Sequence, residues 1–333
     1  MSDAAQPSPS QPSPQAQAQA PSPSPAPTAK AQGKPTAWMH TKEAGAVWGI
    51  RFVVLLCTVF GRRAGRAFLY LLAFYYVAFS ARVRRASRGY FEKLEPGVPC
   101  GFWKIFRHVL TFAKVTLDRL FFARGRHDLF VAETHGEEHL RALAEKKQGA
   151  LFIMAHVGSF EAARTFSEDK SYRINVLGYF RNARMLNSAL EKLNPEINMR
   201  LIDLTPDSID FIFTVKDRAK AGEIVSTMGD RVGTDGKYAM AKFLGTPAPF
   251  PTGPFLLAGM LNCPVYLAFG LYSEPNRYDL YCEPFAERLK LPRQDRDQFL
   301  AEQVQKYADR LEHYCRLSPM NWFNFYDYWE VPK

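Results

Sequence analysis

A chain of 333 residues has room for one sizeable core with extras, or for two domains at most. Lysine and arginine exceed aspartate and glutamate by 43 to 33, and this surplus of +10 suits nucleic acid, anionic lipid headgroups or an acidic protein without choosing among them. The five cysteines (Cys57, Cys100, Cys263, Cys282 and Cys315) are scattered and form no C-x-x-C, which argues against a disulfide framework and a structural zinc site and for buried thiols in a reducing compartment.

Residues 1–36 alternate Pro, Ser, Ala and Gln and cannot bury enough surface to offset their ordering entropy, so a disordered head is expected. The head also lacks the basic start and apolar middle of a signal peptide, so the protein is expected to stay in the compartment where it is made. Residues 37–90 differ in kind. Val47–Phe60 and Ala67–Phe79 are apolar, aromatic-rich stretches separated by Gly61-Arg62-Arg63-Ala64-Gly65-Arg66, and Arg82, Arg84, Arg85 and Arg88 follow. Each stretch is about 14 residues, or roughly 21 Å of helix, short of the roughly 20 residues that a span needs. Arginines on both sides of the second stretch give no orientation by the positive-inside rule. Two short helices lying in the headgroup region, with arginines on lipid phosphates, fit better than a span or a buried hairpin.

Residues 91–333 read as the catalytic or binding domain. Helices are predicted over Lys104–Phe122 and Glu137–Lys147. Strands follow at Ile174–Phe180, Met199–Leu204, Glu223–Gly229 and Val265–Leu271. Helices are predicted between them at 183–193, at 207–219 (Thr205 as cap, Pro206 at the first position) and at 254–261, and a last one over Asp297–Cys315. This alternation predicts an α/β fold with a mostly parallel central sheet flanked by helices.

The stretch Ala150–Glu161 carries the sharpest signal. Ala150 to Ala155 is an apolar run of buried-strand length, broken at Gly158-Ser159, and Ser159 then caps a helix. His156 thus ends a strand and Glu161 stands on the first turn of the next helix. Both face the crevice at the carboxyl end of a sheet, where open α/β folds bind ligands. A histidine held by a carboxylate is the minimum for general-base catalysis, with the carboxylate fixing the tautomer and stabilising the imidazolium. The plain alternative is a core histidine with a surface glutamate nearby.

Three further groups fall on the same predicted edge. Asp230 and Arg231 end one strand, able to order a crevice or to cap the sheet as an ion pair. Arg181 lies just past another strand end, in a position that suits a phosphate. Phe250-Pro251-Thr252-Gly253-Pro254 forms a tight turn into a helix, expected to leave backbone N–H groups free for an anion or an oxyanion. Elsewhere, His135-Gly-Glu-Glu138-His139 matches H-x-x-E-H, which opens the alternative of a zinc hydrolase using His135 and His139. Gly136 sits badly for a helix carrying both. The chain ends in a dense aromatic tail, Asn321-Trp-Phe-Asn-Phe-Tyr-Asp327-Tyr-Trp329.

In their order these motifs resemble the lysophospholipid-acyltransferase-like superfamily and, within it, the late acyltransferases of lipid A biosynthesis. The H-x4-D/E signature matches His156 and Glu161, the F-P-x-G element Phe250, Pro251 and Gly253, and a proline heading the next strand Cys263-Pro264-Val265. The basic break Gly61–Arg66 looks like the family's N-terminal pattern. The resemblance covers roughly residues 44–317. It implies a glycerol-3-phosphate acyltransferase-like fold at the cytoplasmic face of a bacterial inner membrane. It also implies transfer of a fatty acyl group from acyl carrier protein, or coenzyme A, to a hydroxyl of a membrane lipid, with no cofactor and no metal. His156 would be the base and Glu161 its orienter. Arg181, Asp230 and Arg231 would bind acceptor phosphate or donor, and the turn at Gly253 the donor phosphate or the oxyanion. The tail lacks the basic character expected for a bisphosphorylated sugar and resembles instead the endings of acyltransferases of aryl-polyene-type lipids. It reads equally as a packed aromatic cluster closing the domain. A non-catalytic membrane-binding protein of the same fold is the competing class. Nucleic acid is set aside because the arginines interleave with apolar stretches instead of forming a basic face.

Overall fold

The computed structural model describes residues 29–30, 47–168, 172–180, 200–204, 209–233 and 236–330. A two-residue strand, β1 (Ala29–Lys30), precedes three helices: α1 (Val47–Phe79), α2 (Ala81–Leu94) and α3 (Phe102–Ala123). Apart from β1, which pairs antiparallel with Lys237 and Tyr238, the 1–36 head lies outside the described residues. α1 is two helices meeting at Gly61, whose φ of 76° and ψ of −176° are not helical. The break therefore falls where the two apolar stretches part, and the arginines of the basic break join the second helix.

Those arginines are not all aimed at lipid. Arg62 makes a two-pronged bond to the buried Asp118 of α3, at 2.7 and 2.8 Å, and Arg66 pairs with Glu274. Arg84 closes the C-terminus of α1 by donating to the carbonyls of Val77 and Ala78, at 2.7 and 2.6 Å. The expectation of arginines on phosphates is thus corrected for these three: they staple α1 to the rest of the chain. No helix among the described residues is long and apolar enough to cross a membrane.

The elements that follow are β2 (Val131–His135), α4 (Glu137–Glu145), β3 (Ala150–Gly158), α5 (Phe160–Glu168), β4 (Ile174–Gly178), β5 (Leu201–Asp203) and α6 (Asp210–Lys220). Then come β6 (Ile224–Met228), β7 (Lys237–Phe243), β8 (Thr246–Pro251), α7 (Gly253–Leu261), β9 (Val265–Ser273), β10 (Arg277–Ala286) and α8 (Arg296–Leu317). Seven strands form one sheet in the order β2-β10-β9-β3-β6-β4-β5. β9, β3, β6, β4 and β5 run parallel, while β10 turns back antiparallel on β9 and carries β2 parallel to itself. The helix expected at 183–193 lies outside the described residues, as do Thr205 and Pro206.

β3 is central and covered on both faces, which is why it reads as an unbroken apolar run and not as an alternation. Leu151, Ile153, Ala155 and Val157 join the larger core with Val304, Tyr307 and Leu311 of α8. Ala150, Phe152 and Met154 pack the other way, with Leu140 and Leu143 of α4. Each fully buried side chain of this size stabilises by about 1.5–3 kcal/mol.

Five strands were not foreseen: β1, inside the head expected to be disordered, and β2, β7, β8 and β10. β8 reads as a loop because Pro247, Pro249 and Pro251 recur at every second position. It is the edge of a three-stranded sheet, β1-β7-β8, and a strand can carry prolines there because their missing N–H groups cost no ladder bond. Leu244 and Gly245, both with positive φ, make the two-residue turn that joins β7 to β8.

Candidate active site

Backbone register builds the site. Met154 of β3 stands beside Met228 of the parallel β6, so His156 and Asp230, two residues further on each, emerge side by side just past the ladder. Against its other neighbour β3 bulges: Met154 pairs with Ala268 and Gly158 with Gly270, so three residues of β3 stand between these pairs against one of β9. Such a bulge re-aims a side chain at a sheet edge. Gly158 closes it with φ +63°, and a Cβ there would stand 1.8 Å from the Gly270 carbonyl oxygen. Ser159 caps α5 by accepting the Ala162 N–H at 3.1 Å, as its position predicts.

His156 is held by Asp230. Its Nδ1 lies 2.7 Å from Asp230 Oδ1, and its backbone N–H donates to Oδ2 at 3.0 Å. Burial opposes ionisation of Asp230, but the contacts to His156 and the Arg231 guanidinium outweigh it and hold the carboxyl well below the usual range. A carboxylate only accepts, so Nδ1 carries the imidazole proton and Nε2 is left unprotonated. Burial and Arg231 lower the His156 pKa, with Asp230 opposing them, so the ring is neutral at neutral pH. About 30% of the side chain stays exposed, which leaves the ring open to a reactant.

The carboxylate expected at Nδ1 was that of Glu161. Instead, Glu161 forms an ion pair with Arg119 of α3, which also lies over the Phe160 ring at 5.4 Å. Burial pushes the Glu161 carboxyl up, with Arg119 and Arg164 opposing. Asp230, expected on a substrate, is completely buried and spends its oxygens inside the protein. Arg231, expected on a phosphate, donates to Asn324 Oδ1 at 2.7 Å and to the Phe323 carbonyl at 2.9 Å. Arg181 lies outside the described residues.

The F-P-x-G turn also differs from expectation. Phe250 is fully buried among Phe243, Tyr307 and Tyr328, so its ring serves the core. Pro251 is buried, and the N–H groups around Gly253 are largely spent: Thr252 donates to Lys237, and Phe255 and Leu256 both donate to the Thr252 carbonyl.

What the sequence did not disclose is the role of the aromatic tail. Trp322 Nε1 and Asn324 Nδ2 donate to Asp230 Oδ2 at 3.3 and 3.2 Å, and Phe323 N–H donates to the His156 carbonyl at 2.8 Å. The Trp322 carbonyl in turn accepts from Nε2 of the buried His108, whose Nδ1 faces the Ser87 hydroxyl, both at 2.9 Å. The polar residues interleaved with the aromatics, Asn321 and Asn324, were the available signal.

Nor do His135 and His139 form a metal pair on one helix. His135 ends β2 with its ring stacked on Tyr281 at 4.5 Å, Gly136 turns left-handed with φ 83°, and His139 lies in the first turn of α4. His135 instead sits near Glu133 and Asp279, and Arg277 bonds both of those carboxylates. A small cavity lies between β3, α4 and α5, lined by Phe152, Met154, Phe160 and Arg164.

Comparison with known families decides among the classes. Residues 109–330 match the family model for bacterial lipid A biosynthesis acyltransferases. The chain belongs to this family. No curated protein matches it significantly. The acyltransferase match begins within α3 and runs through the aromatic tail, so it takes in His156, Asp230 and the segment that bonds them. Neither a non-catalytic membrane binder nor a zinc hydrolase describes an acyltransferase that transfers acyl groups to membrane lipid.

Proposed function

We propose that His156 is the general base of O-acyl transfer and that Asp230, not Glu161, orients it. The acceptor hydroxyl gives its proton to Nε2 as its oxygen attacks the thioester carbonyl. The tetrahedral intermediate then collapses with cleavage of the C–S bond, and the thiolate leaves with the proton that the imidazolium returns. Asp230 holds the tautomer with Nε2 free and stabilises the imidazolium while it lasts. Glu161 acts through Arg119 and Arg164 on the electrostatics of the crevice. The donor is a thioester of acyl carrier protein, for which a chain of +10 is a favourable partner, or of coenzyme A. The acceptor is a lipid A-type or aryl-polyene-type lipid at the cytoplasmic face of the inner membrane.

The surface of α1 supports attachment to that membrane. Leu55, Val59, Phe60, Leu71, Tyr75 and Phe79 are all more than half exposed, with Trp103 of α3 beside them in character. Such an apolar face suits the headgroup boundary, where α1 lies without spanning.

The observation that carries this reading is the 2.7 Å contact between His156 and a buried, ionised Asp230. Its test is transfer of a labelled acyl group from the thioester to a membrane lipid extract. Asp230→Asn should lower the rate by about 10²–10⁴, the usual range for general-base assistance. An undiminished rate would remove Asp230 from the mechanism.

A further inference from the structure

We propose that the segment Asn321–Asn324 is a positioning device for the catalytic base: Trp322 and Asn324 fix the rotation of the Asp230 carboxylate so that one oxygen is held away from the imidazole and the other is aimed at it. The proposal rests on the reading of His156 and Asp230 as base and partner.

The torsion that turns an aspartate carboxylate is broad, so packing alone does not set the plane of the carboxylate against the ring. Hydrogen bonds set it here. Oδ2 receives three N–H groups, from the His156 backbone at 3.0 Å, the Asn324 amide at 3.2 Å and the Trp322 indole at 3.3 Å. Oδ1 is left for Nδ1 at 2.7 Å. The Asn324 amide has its own orientation fixed, because Arg231 Nε can only donate and takes Oδ1 at 2.7 Å, which turns Nδ2 towards Asp230. Trp322 is fully buried, and an indole N–H there needs an acceptor; Asp230 provides it.

The segment is tied to the backbone that carries His156 on both sides of it. Phe323 N–H donates to the His156 carbonyl and Gly158 N–H to the Asn321 carbonyl, each at 2.8 Å, and Trp322 bridges to Val157. The Asn321 side chain accepts from Tyr272 N–H at 2.8 Å and donates to the Tyr272 carbonyl at 3.0 Å, which fastens the segment to β9 as well. One short stretch therefore grips both the bulge that aims the imidazole and the carboxylate that orients it. A tail serving only to close the core would need the rings and none of these donors.

The test reads the imidazole directly. In the full-length chain labelled at its seven histidines, the proton on Nδ1 of His156, held against a carboxylate, gives a far-downfield resonance, assigned by its loss in His156→Ala. Trp322→Phe and Asn324→Leu should each shift or broaden that resonance, and the double variant should lose it. The rate of acyl transfer should fall about ten- to a hundredfold, less than the whole of general-base assistance, with the KM for the thioester unchanged. Phe325→Leu is the control, because Phe325 packs on the His108 and Phe112 rings at 4.9 and 5.3 Å and its ring gives Asp230 no hydrogen bond. It should leave the resonance in place. An unmoved resonance in folded single variants, or its loss in Phe325→Leu as readily as in Asn324→Leu, would overturn the proposal. Transfer surviving in His156→Ala, with the resonance still lost in the double variant of an otherwise natural chain, would instead refute the catalytic reading and leave the positioning intact.

Discussion

At the scale of single residues, the proposed base His156 and its partner Asp230 would set how activity depends on pH. Burial and Arg231 push the His156 pKa below its ordinary value of about 6.5 and Asp230 pulls it up. On the proposed mechanism transfer needs the neutral ring, so the rate should hold from neutral pH to below about 6.5 and fall only on further acidification. In Asp230→Asn the group that raises the pKa is gone, and the acid limb should move to still lower pH while the plateau drops. Glu161→Gln should leave the limb where it is, because that carboxylate is engaged with Arg119. A limb that moves equally in both variants would return the orienting role to Glu161. The site was half legible in the sequence. His156 at a strand end and Asp230 at another were both visible, but H-x4-E spacing favours the carboxylate nearest in the chain. The one that reaches Nδ1 is 74 residues away, brought there by the pairing of β3 with β6. Register between parallel strands is not written in either strand alone.

At the scale of elements, the bulge in β3 and the aromatic tail are one construction, joined further to α2 and α3 through His108. That histidine is buried between the Ser87 hydroxyl and the Trp322 carbonyl, and burial lowers its pKa to about 4. Its folded pKa is depressed relative to about 6.5 when unfolded, so the unfolded chain binds the extra proton between these values. Stability from this group is complete above pH 6.5 and is lost as pH falls towards 4, by up to roughly 3 kcal/mol. Denaturant unfolding from pH 7 to pH 4.5 should show that loss, and His108→Gln should flatten it. An equal slope in the variant would place the titration elsewhere. The parallel strands β3, β4, β5, β6 and β9 were readable from their apolar runs. β8 was hidden by its alternate prolines, whereas β10 carried the strand alternation openly, with Tyr278, Leu280 and Cys282 buried and Arg277, Asp279 and Glu283 on its less buried face, and was overlooked. The tail announced its rings but not its donors, because hydrophobic patterning carries no information about which polar group meets which.

At the scale of the whole molecule, the proposed membrane contact makes α1 the link between a lipid surface and the chemistry. Arg62 and Arg66 tie it to Asp118 and Glu274, and Lys114 of α3 bonds both Glu274 and Tyr70 of α1, so the helix that presents the apolar face is fixed to the sheet that carries His156. The two short stretches and the break at Gly61 could be read from composition, whereas the ion pairs that consume the arginines could not. Leu55, Leu71 and Phe79 are exposed by 60, 70 and 76%, and their replacement by serine should leave folding intact. Binding to anionic lipid vesicles should weaken about tenfold or more in the triple variant, given roughly 25 cal/mol per Å² of apolar surface. Unchanged binding would put the membrane contact on another face.

The measurement closest to the central claim is lipid mass spectrometry of cells that make the natural chain, the His156→Ala variant or neither. The natural chain should produce a lipid species heavier by one acyl group than its counterpart in cells without it, and His156→Ala, present at equal abundance in the membrane fraction, should not. The same heavier species at undiminished level in cells making His156→Ala would contradict His156 as the base of acyl transfer.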